Sequence, residues 1–233
     1  MREILMGVPS RYFPQAMLRS QAVWRQLLAL CLALLMASSI PVLTAAGEAS
    51  APADKSAELM VSRTTAQAIQ ILGNHQMSPE RRRQRLIEAV AGHFDFSDMA
   101  RSSLGYHWRQ LTPVQQQQFV QLFTAFIEEA YLNKLADYAG QKIKMLGNTP
   151  LAPGQSQVNT LVIQPGNEEP IHLDYRLKQY GNEWKVYDVA VDNISITANY
   201  RNQFNRVINS QGFDALMKEM RAKRQQLLAS LSK

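Results

Sequence analysis

Apolar residues recur along this chain at one of two periods, and the change from one to the other divides the sequence. From about residue 57 to Gly140 the spacing is helical. Leu59, Ala66, Ile69 and Leu72 share a predicted helix face, and Gly73-Asn74 is a natural stop. Ser78-Pro79 opens a second helix carrying Leu86, Ile87 and Val90. Thr112, Pro113 and Gln115 form a capping-box signature. Behind them Phe119, Leu122, Phe123, Phe126, Ile127, Ala130, Tyr131, Leu135 and Tyr138 follow at threes and fours. Such a stripe must face either a core or something apolar held within the protein.

After Gly140 the period becomes two. Strands are expected over Lys142–Leu146, Gln157–Gln164, Ile171–Lys178 and Trp184–Val191, with turns at Pro165-Gly166-Asn167 and Gly181-Asn182. Ile171, Leu173, Tyr175 and Leu177 alternate with His172, Asp174, Arg176 and Lys178, so this strand has one buried and one wet face. Helical spacing returns at Ile196, Tyr200, Phe204, Val207 and Ile208. Gly212 breaks it, and Asp214 is expected to cap a last helix containing Leu216, Met217 and Met220. The expected class is α+β: N-terminal helices, an antiparallel meander of about four strands, then C-terminal helices packed on the sheet. That apolar lining closes around solid core or around a cavity; the pattern alone fits both.

The N-terminus reads differently. Arg2, Arg11, Arg19 and Arg25 stand against Glu3 alone, and the uninterrupted apolar run Leu27–Met36 follows. Small residues, Pro41 and Thr44-Ala45-Ala46-Gly47 come next. Basic, apolar, then small is the order of a cleavable signal peptide, placed at residues 1–46, with Met17 as a second candidate start. Ten apolar residues fall short of the roughly 20 that span a bilayer. Residues 47–56 are small and polar and read as a flexible lead-in; residues 57–233 read as a single domain.

This cut changes the chemistry that remains. It leaves 187 of 233 residues and lowers the net charge from +6 to +3. Cys31, the only cysteine, leaves with the signal; Leu30 before it does not suit a lipoprotein site. The mature domain then has no disulfide, thiol nucleophile or thiolate metal site.

Catalytic signatures are missing from the rest. There is no Gly-x-Ser-x-Gly elbow, no phosphate-binding glycine pattern and no His-Glu-x-x-His. His75, His93, His107 and His172 lack metal-ligand spacing. Asp95 and Asp98 suit helix capping better than acid–base work. Arg81, Arg82, Arg83 and Arg85 suit a solvated helix face, and nucleic-acid binding lacks its aromatic stacking platforms.

Further residues carry a resemblance. Phe94-Asp95-Phe96-Ser97-Asp98-Met99-Ala100, Leu104-Gly105, Trp108, Leu111-Thr112-Pro113 and Phe119 stand in the order found in MlaC proteins. Trp184-Lys185-Val186-Tyr187-Asp188-Val189, Ile194-Ser195-Ile196, Asn199-Tyr200-Arg201-Asn202-Gln203-Phe204 and Gly212-Phe213-Asp214-Ala215-Leu216 continue the match. The chain resembles this family, also labelled toluene-tolerance proteins, over nearly the whole mature domain. It departs at Asp192-Asn193, where the family usually has an acidic residue and glycine; Asn tolerates the left-handed turn.

The resemblance implies a periplasmic carrier that takes phospholipid tails into an apolar cavity and needs no cofactor. It would exchange lipid between an outer-membrane lipoprotein–porin complex and an inner-membrane ABC transporter bearing a lipid-binding partner domain. Outer-membrane lipid asymmetry would depend on that traffic. A hopanoid-associated branch shares the pattern and leaves the cargo open. Pocket candidates on this basis are Phe123, Ile127, Tyr131, Val162, Leu173, Tyr175, Val186, Tyr187, Val189 and Tyr200, each of which equally fits ordinary core. Arg201 and Asp188 are expected to brace sheet against helix, or to lie near a headgroup. The rival readings are a docking adaptor with a solid core, and an α+β cavity enzyme acting on a hydrophobic substrate. The enzyme needs an Asp or His beside a Tyr, and Asp174 and His172 fall on the strand face opposite Tyr175.

Overall fold

A computed structural model of the chain describes residues 55–132, 140–163 and 169–231. The expected signal peptide and lead-in, Leu135, Tyr138 and the Pro165-Gly166-Asn167 turn lie outside the described residues.

Helices α1 (Lys55–Leu72), α2 (Pro79–Ala91) and α3 (Phe96–Leu104) come first, and a 3-10 turn (Gly105–Gln110) leads to α4 (Pro113–Ile127). The starts follow local chemistry. Ser78 Oγ accepts from Arg81 N, and Asp95 Oδ1 accepts from Asp98 N at 2.8 Å. Thr112 and Gln115 close the expected capping box. Asp95 therefore caps, as its position before a helix suggested. α4 runs on into a π-helical turn, Glu128–Leu132.

One helix face differs from expectation. Leu59 is 49% exposed, and α1 instead buries Ala57, Val61 and Leu72, with Met60, Thr64, Thr65 and Ala68 half-buried. The buried face is lined by small and hydroxyl side chains, so a count of large apolar residues misses it. Thr65 Oγ1 donates to Val61 O at 2.8 Å, which removes the cost of burying its hydroxyl.

The sheet runs β1 (Lys142–Ala152), β2 (Gln155–Ile163), β3 (Ile171–Tyr180), β4 (Glu183–Val191) and β5 (Ile194–Ser195), antiparallel and in sequence order. β1 is longer than predicted. Register shifts after Met145 and after Pro150 carry it past Gly147 and Pro150, and an edge position tolerates the proline. At the β4–β5 turn Asp192 and Asn193 have φ of 46° and 66°, both left-handed, as a two-residue hairpin turn requires.

α5 (Ile196–Gln211) and α6 (Phe213–Leu231) complete the chain. At the α5 N-terminus Ser195 Oγ accepts from Ala198 N, and Asp188 Oδ1 accepts from Thr197 N. Asp214 lies inside the first turn of α6, which begins two residues earlier than a cap at that position allows. The main core joins Phe119, Phe123 and Phe126 of α4 and Tyr200, Phe204 and Val207 of α5. Val158, Leu177, Val186 and Val189 extend it onto one face of the sheet.

Candidate functional site

The apolar face of the sheet is set by pairing. Val158 faces Tyr175, Thr160 faces Leu173, and Tyr175 in turn faces Val189, so these side chains share one surface. Val158 and Thr160 are fully buried, and Thr160 Oγ1 satisfies itself on Leu173 O at 2.5 Å. Val162 is half-buried towards the β1 side. α1 lies over this surface. Between them is an apolar cavity of about 20 Å³, lined by Met60, Val61, Thr64 and Thr65 of α1 with His93, Phe94, Tyr175 and Val186. That is room for about one water. Burial pushes the Tyr175 hydroxyl well above its usual range, so it stays a neutral phenol.

An aromatic wall adjoins the sheet. Phe123 and Phe126 meet the Tyr200 ring edge-on at 6.2 and 5.8 Å, and Tyr200 stacks on Phe204 at 5.3 Å. Ile127 is buried beside them. Tyr131, on the π-helical turn, neighbours Tyr200. Burial raises both phenols, and for Tyr200 the neighbouring Tyr131 adds to the effect. The π turn is itself fixed: Arg224 of α6 grips the buried Glu129, with Nε 3.0 Å from each carboxylate oxygen.

Of the candidate residues, the structure gathers Leu173, Tyr175, Val186, Val189 and Val162 on the sheet surface, and Phe123, Ile127, Tyr131 and Tyr200 on the wall. Two expectations fail. Arg176 pairs with Asp188 and Leu177 with Val186, so Tyr187 is the extra residue of a bulge. It turns to the polar face, where its hydroxyl donates to Gln155 Oε1 at 3.2 Å. Strict alternation cannot anticipate that slip. Nor do Arg201 and Asp188 form a brace. Asp188, 2% exposed, takes Ser195 Oγ at 2.5 Å, Thr197 N at 3.1 Å and Arg176 Nη1 at 3.2 Å. Arg201 lies one helical turn further on and donates to Ser102 O at 2.7 Å. Its stem covers Gly105, where an added Cβ would meet Arg201 Cδ at 3.2 Å and where φ is +57°. Sheet and helix are braced, but by Arg176, Asp188 and the start of α5.

Asp174 keeps its predicted face, opposite Tyr175, but is buried there. The cavity residues on α1 and His93 were not read from sequence, and a search for small residues at helical spacing is the one signal that marks them. His93 and Tyr175 line the same cavity. Among the described residues no group of His, Cys, Asp and Glu is placed to hold a metal ion, and no helix is long and apolar enough to cross a membrane. A second, open cleft of about 460 Å³ lies between Phe94, Asp95, Phe96, Ser97, Val120, Thr124, Tyr180 and Lys185. Tyr180 donates to Asp95 Oδ2 at 2.7 Å in it.

A family model described as "MlaC protein" matches residues 62–222. The chain is 28% identical over 121 residues to the intermembrane phospholipid transport system binding protein MlaC of Haemophilus influenzae, covering 50% of this chain and 56% of that protein. It is 30% identical over 107 residues to the toluene tolerance protein ttg2D of Pseudomonas putida, covering 46% and 49%. The chain thus aligns with about half the length of the curated relatives it matches. It is also similar to the phospholipid-binding protein of Ralstonia solanacearum, solved in complex with a phospholipid. The TM-score is 0.65 and the identity 26%, over 74% of this chain and 98% of that one.

Proposed function

The chain belongs to the MlaC family, and from that premise we propose that it is a periplasmic carrier of phospholipid. The observation that carries this reading is the likeness to a phospholipid-bound protein along nearly all of that protein's length. The apolar sheet face supports it physically. Each acyl CH₂ removed from water contributes about 0.8 kcal/mol, so two tails need no charged contact to be held firmly. The lipid would lie between the sheet residues Val162, Leu173, Tyr175, Val186 and Val189 and the wall of Phe123, Ile127, Tyr131 and Tyr200. A seam of about 20 Å³ must widen to admit it.

In this reading the carrier performs no catalysis and requires no cofactor. It passes lipid between an outer-membrane lipoprotein–porin complex and an inner-membrane ABC transporter, and so maintains outer-membrane asymmetry. Organic extraction of purified protein followed by mass spectrometry should yield phospholipid. Repeated preparations free of lipid would sink the proposal. Val162→Trp, which fills the half-buried end of the sheet face, should lower bound lipid while the circular dichroism spectrum stays unchanged. Equal lipid in variant and parent would remove Val162 from the site.

A further inference from the structure

α1 and α2 carry an apolar cluster of their own. Leu72 and Leu86 are its buried centre, with Ala68, Ile71, Ile87 and Val90 packed around them, separate from the main core. Arg82 Nη1 donates to Asn74 O at 3.4 Å and ties the connecting turn to α2. The pair therefore keeps its internal packing whether or not it touches the sheet.

Its attachment to the rest is narrow and polar at both ends. At the start, Trp184 Nε1 of β4 donates to Ser56 Oγ at 2.7 Å. Along the seam the fully buried residues of α1 are only Ala57 and Val61, and the hydroxyls of Thr64 and Thr65 bond within their own helix, to Met60 Sδ and Val61 O. Those bonds survive separation from the sheet. At the end, the chain passes through Gly92 into a segment anchored on β4. Val186 N donates to His93 O at 2.8 Å, and Asp95 N donates to Val186 O at 2.9 Å. Gly92 O itself accepts from Lys185 Nζ of β4 at 2.6 Å, so the pivot is pinned at Gly92. A Cβ added there would meet nothing within 4 Å, and no side-chain packing hinders rotation about it. On the α2 side, Arg83 and Glu128 of the π turn attract one another.

We propose that the α1–α2 hairpin moves as one lid, hinged at Gly92 and latched by the Ser56–Trp184 hydrogen bond, and that its opening uncovers the apolar sheet face to acyl chains. What enters rests on the carrier reading above; the movement does not.

Hydrogen exchange followed by mass spectrometry tests the movement. In Trp184→Phe, which removes only the latch donor and keeps a large ring, residues 55–91 should exchange about fivefold faster as one unit. β2–β4 and α4–α5 should keep the parent's protection. Ser56→Ala should repeat the pattern, and it decides the matter if Trp184→Phe folds poorly. No acceleration in Ser56→Ala overturns the lid, as does acceleration of α1 with α2 unchanged, or of β3 and α4 alike. The lipid arm uses vesicles of phosphatidylglycerol and phosphatidylethanolamine with a fluorescent tracer. Uptake should quicken by a similar factor in the variants; faster exchange with unchanged uptake overturns the gating role. Should the parent take up no lipid at all, the carrier reading fails, while the exchange experiment still decides whether the lid exists.

Discussion

Between α4 and α5 the core consists of rings: Phe119, Phe123 and Phe204 are fully buried, and together with Phe126 and Tyr200 they form ring pairs at centroid distances of 5.3 to 6.5 Å. Between α1 and the sheet it consists of Ala57, Val61, Thr64 and Thr65 over Tyr175 and Val186, with a small cavity left over. Both regions belong to one apolar cluster. They differ in how much surface each contact removes from water, and a contact that removes little is cheap to open. The dense side keeps the domain folded, and the thin side is where it can yield.

The largest effect should come from the dense side. Phe123→Ala is expected to cost about 3–5 kcal/mol in denaturant unfolding, through lost burial and the cavity left behind. Asp188→Ala comes next, at about 2–3 kcal/mol, because Thr197 N and Arg176 lose their buried acceptor. Arg176→Gln should cost less than about 1 kcal/mol, since that partner is 37% exposed. If those two variants are equally damaging, Asp188 owes its place to the ion pair and not to the start of α5. Val61→Ala probes the thin side and should cost about 1–2 kcal/mol. A loss matching that of Phe123→Ala would abolish the contrast between the two regions.

The smallest effect concerns Tyr180, whose hydroxyl donates to Asp95 beside the hinge. That bond, with burial and the carboxylate charge, pushes its pKa from 10.0 to about 12. The folded state therefore holds the phenol neutral. The stability it contributes is complete below about pH 10 and is lost as pH rises towards 12. Tyrosinate absorbance at alkaline pH should lose its latest-titrating exposed group in Tyr180→Phe. Loss of a group titrating near 10 instead would show that the bond does not persist in solution.

Much of the fold was legible. Capping at Ser78, Asp95 and Thr112 depends on a few adjacent residues, so it can be read from their spacing. The buried face of β3 follows from its alternation, and the Asp192-Asn193 turn from the short side chain of Asn. Most candidate pocket residues do share the sheet face or the aromatic wall. Tyr187 does not: it follows the inward Val186 and points to the other face, and the one-residue bulge then returns Val189 to the inner one.

Local period and capping chemistry thus determined which segments become helix or strand, and which strand face turns inward, because those preferences act over a few neighbouring residues. The long-range partnerships were decided only by tertiary structure. Asp188 found Arg176 and Thr197, Arg201 found Ser102, and Ser56 found Trp184 across 128 residues. Side chains that exchange hydrogen bonds at such separations leave no periodic trace. The seam under α1 is of the same kind: small residues mark a buried face only once another surface is laid against them.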